Sequence, residues 1–455
     1  MNKKPELIFD SSKQYYFVDA SHGNDKNSGT KEQPWKSLFK ANTVRAQKRG
    51  TTIVFRKGIY KGTLEPHNNG QKHAWLTFKA YPGEKVLIDG ANSIKPCVNL
   101  LGKSYITIED FNISNSKSDG VAMEAKNGQH HLVVSNCSIS NVGGSGVRLK
   151  YASYIDILNN RINHTGDYGI ADKGGSSFVL IGGNDVSFPG IDCIYIASTN
   201  FRIDNNYLHD NSKPVDPHEH ADGIQVFLDS DDYYKQGLFK SNIIISNNTI
   251  ALNVPPNNGT IQSNSMMLEN AEGMEVFNNI VLGRKTSNVI DVKNCPRSII
   301  YNNTLIDSRH QGIYINKNSK GCHVFNNLVY GSTGQSLLIT DDSTRGFLSD
   351  YNIFSSPIKW GSSIVSLQDY SGATGMDKHS LYIRYAPGII DYGKSFSNSG
   401  SKIPTYRLIK SSPAVDKGFP NENDLFRYPK KDKEGSQRCV NGVIDIGACE
   451  FTPGK

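Results

Sequence analysis

The chain has 455 residues, long enough for one large elongated domain or two to three compact ones, and a formal charge of +7 from 50 Lys and Arg against 43 Asp and Glu. So mild an excess, without a run of five basic residues, lacks the footprint of a nucleic-acid binder, and no apolar stretch approaches the roughly 18 residues a membrane span needs. The hydrophobic share is a modest 37%, while Asn, Gly and Ser abound between short runs of Val, Ile, Tyr and Phe, which suits many brief strands joined by polar turns.

Taken in order, residues 1–100 are expected to hold an N-terminal cap and the first coils of a repeat. The opening MNKKPELIFDSSKQYY has a basic start without the apolar run of a signal peptide, as expected of a mature or trimmed chain. PWKSLFKANTVRAQKRG (34–50) is the best helix candidate, and TTIVFRKGIY (51–60) reads as strand.

From residue 131 the chain repeats a unit of strand, Asn turn, strand, short turn, and a strand usually opening Gly-Ile or Gly-Val. Turn asparagines are expected at Asn136, Asn160, Asn184, Asn206, Asn248, Asn279, Asn303 and Asn327, with spacings of 24, 24, 22, 42, 31, 24 and 24. A period near 24 fits one coil of a right-handed, single-stranded parallel β-helix with three short strands per turn. Asparagine suits its corners, because it tolerates the left-handed conformation and stacked copies form an amide ladder. Alternation in GVRLK (146–150), CIYIA (193–197), GIQVF (223–227) and GIYIN (312–316) points every second residue inward. The fold class predicted is therefore all-β, with regular coils over 101–355 and C-terminal coils and cap over 356–455.

The regularity breaks in inserted loops at 211–221, 228–242 and 252–264. From turn asparagine to the first inward residue of the next strand is 18 residues for Asn206 to Ile224 and for Asn248 to Met266, against 10 or 11 in most coils. A stacked core cannot accept insertions, so these loops must project outward beside the strand 223–227. The first carries KPVDPHEHADG, with its histidines and carboxylates, over a face whose projected outward residues include Arg148, Lys150, Lys173, Tyr195, Gln225, Lys293 and Tyr314.

Each residue type on that face suggests chemistry. Lys173, flanked by Arg148 and Lys150, is the preferred base, because like charge lowers an amine pKa; the alternative is a solvated basic row gripping an anionic chain. His218 and His220 serve as base, acid or ligand. Asp216, Glu219 and Asp222 supply the oxygen ligands calcium wants, unless Asp222 merely bonds its own turn. Tyr195 stacks on a sugar or protonates a leaving oxygen, and Gln225, Lys150, Lys293 and Tyr314 are expected to bind substrate. Cys137, Cys193, Cys295 and Cys322 read as small core residues; Cys439 and Cys449 are placed to pair in an oxidising compartment.

Both ends resemble those of extracellular β-helix proteins: YYFVDASHGNDKNSGTKEQPW near the start, and SSPAVDKG with GVIDIGACEF near the finish. Local motifs resemble the β-helix polysaccharide lyases and epimerases. HADGIQVF is similar to the ADGF strand of a calcium-dependent pectate lyase family, which implies calcium at Asp222; the acidic pattern that family has on the next coil is SNSMMLEN here. VDPHE resembles the DPHE motif of mannuronan C5-epimerases, which implies catalytic roles for Asp216 and His218, with Pro214 where that family has tyrosine. Lys150 and Lys173 on adjacent coils resemble the lysine and arginine pair of the chondroitinase B and alginate lyase family.

The expectation is thus a secreted or periplasmic monomeric lyase that cleaves an acidic, uronate-containing polysaccharide by β-elimination, with calcium as the implied ion and no organic cofactor. Its rivals are an inverting glycoside hydrolase using carboxylates such as Asp192, Asp222, Glu269 or Asp291, and a non-catalytic glycan-binding β-helix.

Overall fold

The structure, a computed structural model, describes residues 7–211, 220–228, 241–252, 263–390, 405–419, 429–439 and 442–453. It divides into two units, Met1–Phe201 and Arg202–Lys455.

The first unit is a stack of parallel strands in three columns. One column runs Gln14–Val18, Thr51–Phe55, Leu76–Ala80 and Ile106–Glu109 and continues through the second halves of Val121–Ser135 and Val147–Leu158 to Ser177–Gly182. A second joins the first halves of those two long strands to Ile170–Asp172 and Ile194–Ile196, in the register Val121, Val147, Ile170, Ile194. The third runs from Gly58–Lys61 to Asp185–Pro189. Alternation drives the coiling: Ile155 and Ile157 on one strand and Ile162 and Ile170 on the next two are fully buried, while Asp156 and Asn163 on those strands are only partly covered.

The expected helix over 34–50 is a single turn, Leu38–Asn42, capped by Ser37. Asn42 stops it, because its side chain bonds Thr63 O and the amide of Glu65, docking the chain onto the next coil. The expected strand over 51–60 is two, Thr51–Phe55 and Gly58–Lys61, one on each side of a corner.

The second unit repeats the pattern. Ile224–Phe227, Met266–Glu269, Ile290–Lys293, Ile313–Asn316, Leu337–Ile339 and Ile358–Trp360 form one parallel column. Its corners rest on asparagine pairs whose members divide the work. In Asn247-Asn248, Asn278-Asn279 and Asn302-Asn303 the first residue takes a positive φ of 57°, 56° and 51°. The second is fully buried and stacks: Asn248 bonds Asn279, Asn279 bonds Asn303, and Asn303 bonds Asn327, each at 3.0 Å. In the first unit Asn160 bonds Asn184 in the same way, but Asn136 does not belong to the row. It holds the positive-φ position, and Cys137 is the residue whose amide bonds Asn160.

The C-terminal capping segment has two parts. Ile358–Trp360 folds back on Ser363–Val365, and the helix Leu367–Thr374 follows, with Tyr370 against Trp360. The tail then runs back along the side of the unit. Its Ile389, Tyr406, Leu408, Ala414 and Ile446 pack on Ile280, Ile306, Leu328 and Ile353, an outward sheet face that is apolar where the equivalent first-unit strands carry Ser138, Arg161 and Asp185. Polar contacts fasten it to the corner asparagines: Phe419 N to Asn326, Arg438 to Asn278, and Lys433 to Asn205. Cys439 and Cys449 are free thiols.

Candidate active site

In the first unit the column of short strands displays two outward rows. Register places Ala122, Arg148, Ala171 and Tyr195 in one, and Glu124 beside Lys150 in the other, with Lys173 next after Asp172. Ala171 and Asp172 are both buried, which is the break in alternation visible in GIADK. Asp172 turns inward and accepts from the amides of Gly174 and Ala197 at 3.3 and 3.2 Å; burial raises its pKa against these bonds and those of Ser176 and Ser198. This anchored turn fixes the direction in which Lys173 leaves the sheet.

The Lys173 ammonium lies 3.7 Å from the ring centroid of Tyr168 and 4.9 Å from that of Tyr195, and the two rings are 5.1 Å apart. Its pKa is lowered, chiefly because burial disfavours the charged form. Asp167, Asp192 and Asp119 pull the other way, and Arg148 adds only a smaller push in the lowering direction. The like-charge cause expected from sequence is therefore corrected: burial leads, and the like charge of Arg148 is a minor addition. Burial also raises the pKa of Asp167, against the attraction of Lys173.

Arg148 is committed to the fold. It donates from Nε to Asp119 and from Nη1 to Glu124, both at 2.7 Å, and these carboxylates outweigh burial and hold its pKa above the usual range. Lys150 touches Glu124 more loosely, at 3.8 Å, with a third of its side chain exposed.

The second unit holds the other predicted residues. Asp222 is fully buried, and both of its oxygens have work within the fold: Oδ1 accepts from the amide of Asn264 at 2.5 Å and Oδ2 meets His220 Nδ1 at 3.0 Å. Asn264 in turn accepts from the amide of Asn288, and Asn288 from that of Gln311, so Asp222 starts a second polar ladder. Among the described residues no group of three His, Cys, Asp or Glu side chains could hold a metal ion. Of the calcium set expected from sequence, Asp222 heads this ladder, while Asp216 and Glu219, with the neighbouring His218, lie outside the described residues.

Asp291 is buried under its column, bonded by Asn316 and Asn288 and 3.7 Å from Lys293; burial raises its pKa, with Asp222 adding and Lys293 opposing. Tyr314 follows Asp291 in the same row, its pKa also raised by burial. Gln225 sits beside Met267, 3.7 Å from its sulfur. Sequence reading missed Tyr168, Asp167, Asp119 and Glu124. Tyr168 and Asp119 stand two residues before the first inward residue of their strands, as Asp192 and Asp222 do, so aligning that position across coils would have found them.

Parallel columns, corner ladders and a titratable cluster on the outward face define a class: the chain is a right-handed parallel β-helix protein. Residues 16–184 match the family described as the Pel9A-like, right-handed β-helix region, and residues 230–353 the family described as the right-handed β-helix region. Uncharacterized protein YwoF of Bacillus subtilis (strain 168) is 28% identical over 143 residues, 29% of this chain, and the match spans 30% of that relative. Among solved structures, pectate lyase Pel9A aligns over 96% of both chains with 15% identity and a TM-score of 0.51. The GH136 lacto-N-biosidase from Eubacterium ramulus aligns over 73% of this chain and 65% of its own, with 16% identity and a TM-score of 0.52. At these identities the likeness is one of fold.

Proposed function

We propose that the protein is an extracellular polysaccharide lyase that cleaves a uronate-containing polymer by β-elimination, with Lys173 as its base. The observation that carries this reading is the Lys173 amine caged between Tyr168 and Tyr195 with its pKa lowered by burial. A neutral amine can accept the proton on the carbon beside the uronate carboxylate, the electron pair enters the ring as a double bond, and the glycosidic oxygen leaves. Tyr195, whose ring centroid is 4.9 Å from the Lys173 ammonium, would return a proton to that oxygen. Lys150 supplies positive charge for the substrate carboxylate, a task Arg148 serves less directly because Asp119 and Glu124 already occupy it. The Pel9A-like match covers Lys150 and Lys173, which supports placing the chemistry here.

Incubation with a panel of uronate polymers tests the reading: ultraviolet absorbance of an unsaturated uronate should grow with wild type and not with Lys173→Ala. Silence on the whole panel would sink it. Asp167, whose raised pKa suits a proton donor, favours one second reading, an inverting glycoside hydrolase. Reducing ends released without that absorbance would select it.

A further inference from the structure

We infer that Tyr151, bedded on Gly175 and flanked by Lys150, is a subsite that stacks one acidic pyranose ring of the polymer beside the Lys173 centre. The inference rests on the proposed function for the acidic character of its ligand.

Tyr151 directly follows Lys150 on the strand Val147–Leu158, at the bend where the register shifts between Lys150 and Ala152. Its amide bonds Gly174 O at 3.0 Å, one residue past Lys173 on the next coil. Glycine there is a requirement: a Cβ on Gly175 would lie 2.1 Å from Tyr151 Cδ1, and Gly174 and Gly175 hold φ of 102° and 74°. The ring therefore rests on bare backbone while Tyr151 stays 47% exposed.

Positive φ is common at the corners of this fold, and other aromatics share it, but those rings cover one another. Tyr154 stacks on Phe178 at 4.9 Å and 7°, and on His131 at 4.8 Å. Among the described residues no other ring lies on Tyr151, and the charged group near it is Lys150 Nζ, 5.4 Å from its centroid. A flat apolar face beside an ammonium matches the two chemical sides of a uronate, whose C–H face is apolar and whose carboxylate is anionic.

The test is calorimetric titration of the full chain with uronate tetrasaccharides and neutral tetrasaccharides of the same linkage, alongside steady-state kinetics. Tyr151→Ala should weaken the acidic ligand about tenfold and raise KM with kcat unchanged. Tyr151→Phe should bind as wild type. Lys150→Met should lose the preference for acidic over neutral ligand. Gly175→Ala should reproduce the Tyr151→Ala loss by displacing the ring, and thermal melts of each variant check the fold. Equal affinities for wild type and Tyr151→Ala, or no binding of any tetrasaccharide by wild type, would overturn the inference. Should Lys173→Ala stay active while Tyr151→Ala still weakens binding, the mechanism falls and the subsite stands. The converse result removes the subsite alone.

Discussion

Replacing Asn303 with alanine tests the corner ladder that holds the coils in register. Asn303 is fully buried; Nδ2 donates to Val276 O at 2.9 Å, Tyr301 O at 3.0 Å and Asn327 Oδ1 at 3.0 Å, and Oδ1 accepts from the amide and the Nδ2 of Asn279, both at 3.0 Å. Asn279 Nδ2 keeps Ile245 O and Phe277 O as partners, so the group left stranded by Asn303→Ala is the Asn279 amide. One orphaned buried N–H costs about 1–3 kcal/mol, and losing the bonds of the two Nδ2 hydrogens adds roughly 1 kcal/mol for each hydrogen, which gives about 3–5 kcal/mol. The neighbouring Asn302 holds φ at 51°, a conformation glycine adopts freely, so Asn302→Gly should cost only about 1–2 kcal/mol, for its buried side chain and its long 3.4 Å bond to Gly447 O. Urea denaturation of both variants, with hydrogen exchange at the Asn279 amide, measures the contrast. If Asn303→Ala costs no more than Asn302→Gly, the division of labour within the asparagine pairs is wrong.

Lys173→Arg keeps charge and packing but cannot give up its proton, so turnover should fall at least about 100-fold, as with Lys173→Ala. Because burial lowers the Lys173 pKa, the alkaline rise of kcat/KM in wild type should fall below the 10.5 of a free lysine; a rise only at or above it would refute the base assignment. Burial pushes Asp377 from 3.8 up to about 6, so the native state holds its proton more tightly than the unfolded chain and stability falls as pH rises from about 4 to above 6. That shift is worth about 3 kcal/mol, and Asp377→Asn should remove this pH dependence in melts from pH 4 to pH 8. Arg438→Met strands Glu450, its partner at 2.5 Å, whose pKa burial already raises to about 7. The tail should then become protease-sensitive, more so at pH 8 than at pH 6, where the carboxyl takes up a proton.

The fold was legible because its signal repeats. A period near 24 and alternating strands recur in coil after coil, and no single residue has to carry the inference. Errors arose where one residue substitutes for another in the same role. Cys137 stands in the ladder position, so the count settled on Asn136, which belongs to the positive-φ row one place earlier. The route of the tail was hidden for a different reason. Runs such as Ile280–Leu282 and Leu328–Tyr330 are apolar on both faces, which announces a covering layer, yet only the folded structure shows that residues from 389 onward provide it.

The site was legible only in part, because its chemistry depends on which groups spend their charge on the fold. Arg148, Lys150 and Lys173 look alike in sequence. In the structure Arg148 is neutralised by two carboxylates, Lys150 is loosely held, and Lys173 lies against Tyr195 and against Tyr168, a ring that sequence reading had passed over. Asp222 drew attention for its setting among histidines, and the structure adds what sequence did not show: its neighbours in the next coils are Asn264 and Asn288, so it also heads a ladder of buried amides. The Asn264 amide and His220 Nδ1 together hold this carboxylate in its buried place. Lys173 differs in that burial disfavours its charged form even though two ring faces and the carboxylates of Asp167, Asp192 and Asp119 favour it. That difference, more than charge density along the chain, is why the search for chemistry centres on Lys173.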